Sequence, residues 1–207
     1  MNSVFAVTSL LLAAYFVGTI PAGYLVGRIY GVYITKLGSR NIGATNVLRS
    51  VGLMPALIVM IIDPLKGFLA TFLPQYFGMG PLVVSAAGLA VVTGNNFSLF
   101  LGLRGGKGIA TTFGVLLAIK PVIAILGLAI ALITIALGRF VSLGSLIGAV
   151  SVPLFLIATG SFPLPYLLLV TALTVLAFIR HWDNLARLAK GEERRLSRNM
   201  HKKGSVE

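Results

Sequence analysis

The sequence predicts an all-α integral membrane protein of seven transmembrane helices, and three observations carry that prediction. Of 207 residues, 57 % are hydrophobic and 11 % charged, at a mean hydropathy of +0.97, which leaves too little polar surface to coat a soluble globule of this size. The apolar residues gather into stretches of roughly 17 to 25, the length a helix needs to cross a bilayer. The basic residues fall between those stretches and alternate in abundance from one connection to the next, as short loops sorted to two sides of a membrane do.

Taken in order, residues 4–27 form a first stretch with no basic segment before it and more length than a signal-peptide core, so it is a retained span. Residues 53–73 and 81–103 supply the second and third. The fourth, 109–120, is short and is divided from the fifth, 121–138, only by Lys120-Pro121, so a half-span or a tilted helix is the alternative there. Residues 142–160 and 164–180 complete the set. Arg28, Lys36, Arg40 and Arg49 follow the first span, Arg104 and Lys107 the third, Arg139 the fifth, and Arg180 leads a run of basic residues after the seventh; only Lys120 falls on the opposite side. Short basic loops stay in the cytoplasm, which sets the N-terminus outside and the C-terminus inside. Gly23 with Gly27 and Gly144 with Gly148 are small-residue pairs that let helices approach closely in lipid. Residues 1–190 make one membrane domain, and 191–207 a charged, solvated tail.

The polar inventory excludes much chemistry. There is no cysteine, and two histidines and five carboxylates (Asp63, Asp183, Glu192, Glu193, Glu207) stand against seventeen Lys and Arg. Thiol nucleophiles, disulfides and cysteine-ligated metal cannot be built, and acids are nowhere clustered to hold a metal pair. No metal and no other cofactor is expected. The sequence pI near 10.6 points to topology, anionic lipid and anionic substrate instead of nucleic acid, because the cations punctuate apolar runs.

Three polar clusters stand at helix ends on the predicted cytoplasmic face. In the first, GSRNIGATNVLR at 38–49, Gly43-Ala44-Thr45 opens a short helix whose free amides suit an anion, and Asn46 and Arg49 share a face; an ordinary interfacial turn is the plain alternative. In the second, Arg104-Gly105-Gly106-Lys107-Gly108 precedes Thr111 and Thr112. Glycines around a lysine permit close backbone approach to phosphate, although the spacing is not that of a Walker loop and a flexible basic turn would look alike. In the third, His181 and Asn184 fall on one helical face, and Arg180, Asp183 and Arg187 form a charge ladder on another. Asp63 and Lys66, three apart in the second span, are placed to pair with each other. Together the clusters offer cations and donors with hardly an acid, beside spans that could wall an acyl chain. A lipid enzyme acting on a phosphate-bearing substrate and a small phosphate or lysolipid transporter both fit these residues.

The motifs GSRNIGATNVLR at 38–49, GNNFSLFLGLRGGKGIATTFG at 94–114 and RHWDNLARLAKGEE at 180–193 resemble, in order, those of the bacterial acyl-phosphate:glycerol-3-phosphate acyltransferases, the PlsY family. The resemblance covers the chain to about residue 190. It implies transfer of a fatty acyl group from acyl phosphate to the sn-1 hydroxyl of glycerol 3-phosphate, giving lysophosphatidic acid and phosphate, without a metal and by a monomer in contact with membrane lipid. It also implies that Ser39, Asn41, Gly43, Thr45, Asn46, Arg49, Lys107, His181 and Asn184 line the site, with Gly105, Gly106 and Gly108 in a phosphate loop. Arg49 and Lys107 would neutralise phosphate, Ser39 and Asn184 orient the acceptor, and His181 bond a substrate oxygen; Ala44 and Thr111 stand beside them as substrate contacts.

Two positions depart from the family pattern. Asn95 stands where histidine is usual, so this position can hydrogen-bond but not carry a proton. Arg40 replaces a frequently small residue, adding charge directed either at the substrate or at lipid headgroups. The His-x4-Asp pair of acyl-CoA-dependent enzymes is missing, because Ala186 follows His181 at that interval, and no helix carries the several aspartates of a CDP-alcohol phosphotransferase.

Overall fold

The computed structural model describes residues 4–160 and 162–196, all of whose regular structure is helical. In chain order the helices are α1 (Val4–Thr19), α2 (Ala22–Ile29), α3 (Ala44–Ser50), α4 (Leu53–Tyr76), α5 (Pro81–Asn96), α6 (Ile109–Ile119), α7 (Pro121–Gly138), α8 (Val141–Thr159), α9 (Leu164–Arg180) and α10 (Trp182–Ala189). Single 3₁₀ turns at Ile34–Lys36 and Leu99–Leu101 interrupt the connections after α2 and α5.

Five segments among the described residues are long and apolar enough to cross a bilayer: α1 with α2, α4, α5 with its following turn, α7 and α8. A sixth is formed by α9 and α10 if the pair, bent by 59°, is counted as one. The expected fourth crossing is the exception. Helix α6 has 11 residues and so extends only about 16 Å, roughly half the hydrocarbon core. Gly108 begins it from the left-handed region and Pro121 starts a new helix directly after its cap, Lys120, so the sequence gives it no room to lengthen.

The first span is broken as well. Pro21 has no N–H and disfavours helical geometry in Ile20, so the helical hydrogen-bond ladder is interrupted between α1 and α2, where Ile20 O accepts only a short-range backbone bond from Ala22 N at 3.0 Å. Lys66 of α4 supplies the donors: its Nζ donates to Gly18 O at 3.4 Å and Ile20 O at 2.8 Å, while pairing with Asp63 at 2.8 Å as their spacing predicts. A lysine inside an apolar span is tolerable because every direction around it is occupied by an acceptor.

Helix α5 runs through the middle. Its Val84, Ala87 and Val91 belong to one core cluster with Val115 and Leu116 of α6, Val152 and Leu156 of α8, and Leu169 and Leu173 of α9. A second apolar cluster joins Val26 of α2 to Ile34, Ile42, Val47 and Val59 and anchors the loop before α3. Glycine lets the helix pairs approach backbone to backbone: Gly18 of α1 and Gly94 of α5 each face a carbonyl of the other helix, and Gly67 and Gly114 do the same between α4 and α6. Gly144 and Gly148 pack α8 on α7, whereas Gly23 and Gly27 face mainly the loop at 32–42, with Val47 of α3 also beside Gly23.

Candidate active site

The segments 38–49, 104–112 and 180–187, far apart in sequence, meet at one end of the bundle around a cavity of about 460 Å³. The first is organised by its own side chains. Asn41 Oδ1 accepts from Gly43 N at 2.8 Å, and Asn46 Oδ1 accepts from Ser39 N at 2.9 Å. Asn46 Nδ2 donates to the carbonyls of Leu37 and Asn41 at 3.0 and 2.8 Å and, more weakly, of Ile34 at 3.3 Å. Asn46 is 2 % exposed, and its amide is consumed in folding the loop that presents Ser39, Gly43, Ala44, Thr45 and Arg49 to the cavity. Arg40, with φ of 60°, is exposed and is not among the residues that line it.

The glycine loop is held from both sides. Gly105 N and Gly106 N donate to the carbonyls of Asn96 at 3.1 Å and Asn95 at 2.9 Å, while the Arg180 guanidinium donates to the carbonyls of Gly105 and Gly106 at 3.1 to 3.2 Å. Gly108 has φ of 76°, and a Cβ there would press on the Asn96 side chain, so both conformation and space demand glycine. Gly105 is buried under this clamp and does not line the cavity, unlike Gly106, Lys107 and Gly108. Thr111 lines it too, and its fully buried hydroxyl has no hydrogen-bond partner among the described residues, a group that a ligand oxygen would satisfy. Asn95 reaches the wall with its Oδ1 accepting from Lys66 Nζ at 3.2 Å, which links the site to the broken first span.

From the third segment, His181 and Asn184 face the cavity together with Arg187. His181 is 3 % exposed, and its Nδ1 lies 2.8 Å from Ala177 O. A carbonyl can only accept, so Nδ1 carries the proton and Nε2 is left as an acceptor. Burial, reinforced by the Lys107 charge, pushes the imidazole down to about 4, so it is neutral over the physiological range. Lys107 donates to Asn184 Oδ1. Its burial brings the ammonium down to about 8, Glu193 partly offsetting that shift.

The predicted charge ladder does not form. Arg180 is turned to the glycine loop, and Arg187 Nε donates to Glu193 Oε2 at 2.8 Å instead of pairing with Asp183. Glu193 is the residue that sequence reasoning missed. Its Oε1 accepts from Asn184 Nδ2 at 2.6 Å and Ser142 Oγ at 2.9 Å, so one carboxylate gathers α8, α10 and the chain after it. Burial raises its carboxyl pKa, but donors from Asn184, Ser142 and Arg187 outweigh burial and keep it ionised. Beyond it, Arg139 donates to Leu196 O at 2.7 Å and Arg49 lies 3.4 Å from Arg194 O, so residues 191–196, expected as the start of a solvated tail, are held against the site. Residues 197–207 of that tail lie outside the described residues. The available signal was the third motif itself, whose last residue, Glu193, stands among cations.

Away from this polar mouth the cavity turns apolar. Its wall continues along Leu116 of α6, along Ile135, Leu132, Leu128 and Ala124 of α7, and along Val141, Ala149 and Val152 of α8. One space thus offers cations and hydrogen-bond donors at one end and a hydrocarbon-lined groove at the other.

Comparison with known proteins agrees in sequence and fold. Residues 8–191 match the family model described as glycerol-3-phosphate acyltransferase. A glycerol-3-phosphate acyltransferase of Thermus thermophilus is 46 % identical over 186 residues, covering 90 % of this chain and 93 % of the relative, and glycerol-3-phosphate acyltransferase 2 of Moorella thermoacetica is 43 % identical over 187, covering 90 % and 95 %. The crystal structure of PlsY, an integral membrane glycerol 3-phosphate acyltransferase, in its glycerol 3-phosphate form superposes with a TM-score of 0.89 at 35 % identity, covering 93 % of this chain and 96 % of that one; its lysophosphatidic acid form gives 0.87. With the three motifs converging on one cavity, a family model spanning residues 8–191, and relatives this similar over more than nine-tenths of their length, the chain belongs to the glycerol-3-phosphate acyltransferase family, that of PlsY.

Proposed function

We propose that this protein transfers a fatty acyl group from acyl phosphate to the sn-1 hydroxyl of glycerol 3-phosphate, releasing lysophosphatidic acid and inorganic phosphate. The observation that carries this reading is the continuity of the cavity, a cationic mouth opening into an apolar groove, which suits a donor that is a phosphate at one end and hydrocarbon along the rest. The solved relative's glycerol 3-phosphate and lysophosphatidic acid forms support the acceptor and the product.

Acyl phosphate is already activated, so the task is to hold two anions together and stabilise the charge that develops on the carbonyl oxygen and the departing phosphate. Lys107 and Arg49 neutralise phosphate, Gly106, Gly108 and the Gly43–Thr45 turn supply close backbone approach, and Ser39 and Thr111 offer hydroxyls. Asn184, fixed between Lys107 and Glu193, orients the acceptor. His181, neutral and with Nε2 free to accept, positions the attacking hydroxyl. A base held near 4 removes little proton character at neutral pH, so the hydroxyl proton passes to the donor's own phosphate. The ester C–O bond forms as the C–O bond to phosphate breaks, and the proton leaves on the phosphate. No metal ion takes part. The chain passes through the inner membrane in seven helical legs, the short α6 running outward and turning back at Lys120-Pro121 into the inward α7, with the N-terminus outside and the site facing the cytoplasm. Residues 1–190, with 191–196 folded back against the site, act as one monomeric membrane domain.

The test is phosphate release by the purified protein from palmitoyl phosphate and glycerol 3-phosphate in the presence of EDTA. Release that needs both substrates and is lost in Lys107→Ala is the expected result. Use of acyl-CoA instead, or uptake of labelled glycerol 3-phosphate into vesicles without reaction, would overturn it.

A further inference from the structure

We infer that Leu116, Ala124 and Val152 form an end wall of the apolar groove and set the acyl length the enzyme accepts. This rests on the acyl-phosphate reading above. The lining residues of α7 run from Ile135 to Ala124, and those of α8 from Val141 to Val152. At about 1.5 Å per helical residue both walls are roughly 16 Å long, which an extended chain fills with about a dozen methylenes at ordinary carbon–carbon bond lengths. Two helices give the same length independently.

The far end is closed where the middle is open. Leu128 and Leu132 are 39 % and 55 % exposed, so the groove opens sideways between them towards lipid. Ala124 is 1 % exposed, and it joins Leu116, Ile123 and Val152 in the main core cluster. A chain entering sideways with its phosphate at Lys107 therefore meets packed side chains at its methyl end. The width of the groove is fixed separately, because Cβ atoms at Gly127 and Gly148 would stand 2.8 Å from Val152 and from Ala131 across the α7–α8 contact. Enlarging those glycines would part the helices. Enlarging Ala124, an alanine already tolerated at the wall, would shorten the groove. Behind Leu116, Ala149 and Val152 lies a separate void of about 20 Å³, so truncating Leu116 joins that space to the groove.

The experiment measures kcat/KM for a series from octanoyl to stearoyl phosphate with the full-length protein. Ala124→Leu is expected to move the optimum two to three methylenes shorter, with decanoyl phosphate affected least and a loss of about fourfold for each methylene that can no longer be buried. Leu116→Ala is expected to move the optimum the other way. Unchanged length profiles in both variants, with decanoyl turnover intact, would overturn the inference and place the tail in the bilayer through the lateral opening. If Ala124→Leu does not fold, the profile of Leu116→Ala decides alone. Wild-type protein that turns over no acyl phosphate of any length is a different result and rejects the donor, and the wall's role with it.

Discussion

The two ends of the cavity are built on opposite rules. At the mouth, Thr111 aside, the buried polar side chains have named partners: Lys107 on Asn184, Asn184 on Glu193, Glu193 on Ser142 and Arg187, His181 on Ala177, and Asn46 on its own loop. In the groove the residues have no partners to name, and what is fixed is a distance between α7 and α8, maintained by Gly127, Ala131, Gly144 and Gly148. A region held by directed hydrogen bonds loses function when one atom is removed, because a buried partner is left unsatisfied. A region held by close packing of small residues tolerates many changes of identity and few of volume.

The largest expected break is at Lys107. Lys107→Ala removes the ammonium in the glycine loop and leaves Asn184 Oδ1 without its donor, and kcat/KM for glycerol 3-phosphate acylation should fall by roughly 10² to 10³. Next is Glu193. Glu193→Ala strands Arg187, Asn184 and Ser142 together, so activity should drop by about tenfold or more with a lower thermal midpoint in detergent, and Glu193→Gln should recover part of both. Equal activity in Glu193→Ala and wild type would mean the carboxylate is not what fixes Asn184.

The pH profile sharpens the same contrast. Lys107, brought down to about 8, is charged below that pH and neutral above it. Only the charged form attracts phosphate, so kcat/KM should hold from neutral pH and decline as pH rises through about 8. Bound phosphate raises the ammonium pKa again, so kcat should decline at higher pH than kcat/KM. His181, at about 4, stays neutral through that range and should add no acidic limb near 6. His181→Gln, which retains an acceptor, should stay within about tenfold of wild type. A limb near 6 that this variant abolishes would restore the histidine as a base.

The same contrast explains what was legible in the sequence. Asn41, Asn46, Lys107, His181 and Asn184 stand out because polar residues at the ends of apolar stretches are few and fall in three tight motifs. Glu193 was invisible because its role depends on the chain turning back from α10 to reach Ser142, more than fifty positions away in sequence, and a cation-rich terminus otherwise looks solvated. Lys66 was legible only in part: its spacing from Asp63 gives the ion pair, but its bonds to Gly18 and Ile20 needed the break that Pro21 imposes. The helical character of every span was plain from composition. The brevity of α6 was flagged by Lys120-Pro121 and decided by Gly108, whose left-handed geometry could not be read from its identity alone. The groove carried no signal, since an alanine or glycine that lines a cavity and one that packs two helices are the same letter in an apolar stretch.

The smallest expected effect tests that last point. Leu132 lines the groove yet is more than half exposed, so its outer surface already meets lipid, and an acyl chain bound beside it gains little that lipid does not supply. Leu132→Ala widens the lateral opening without removing any hydrogen bond or closing any distance. Its kcat/KM with palmitoyl phosphate should stay within about threefold of wild type, since the substrate surface it covers is a small part of the chain. The corresponding Lys107→Ala loss should be larger by about a hundredfold. A collapse in Leu132→Ala comparable to that at Lys107 would mean that the groove, too, is specified residue by residue, and that the contrast between directed bonds at the mouth and bare width along the tail is false.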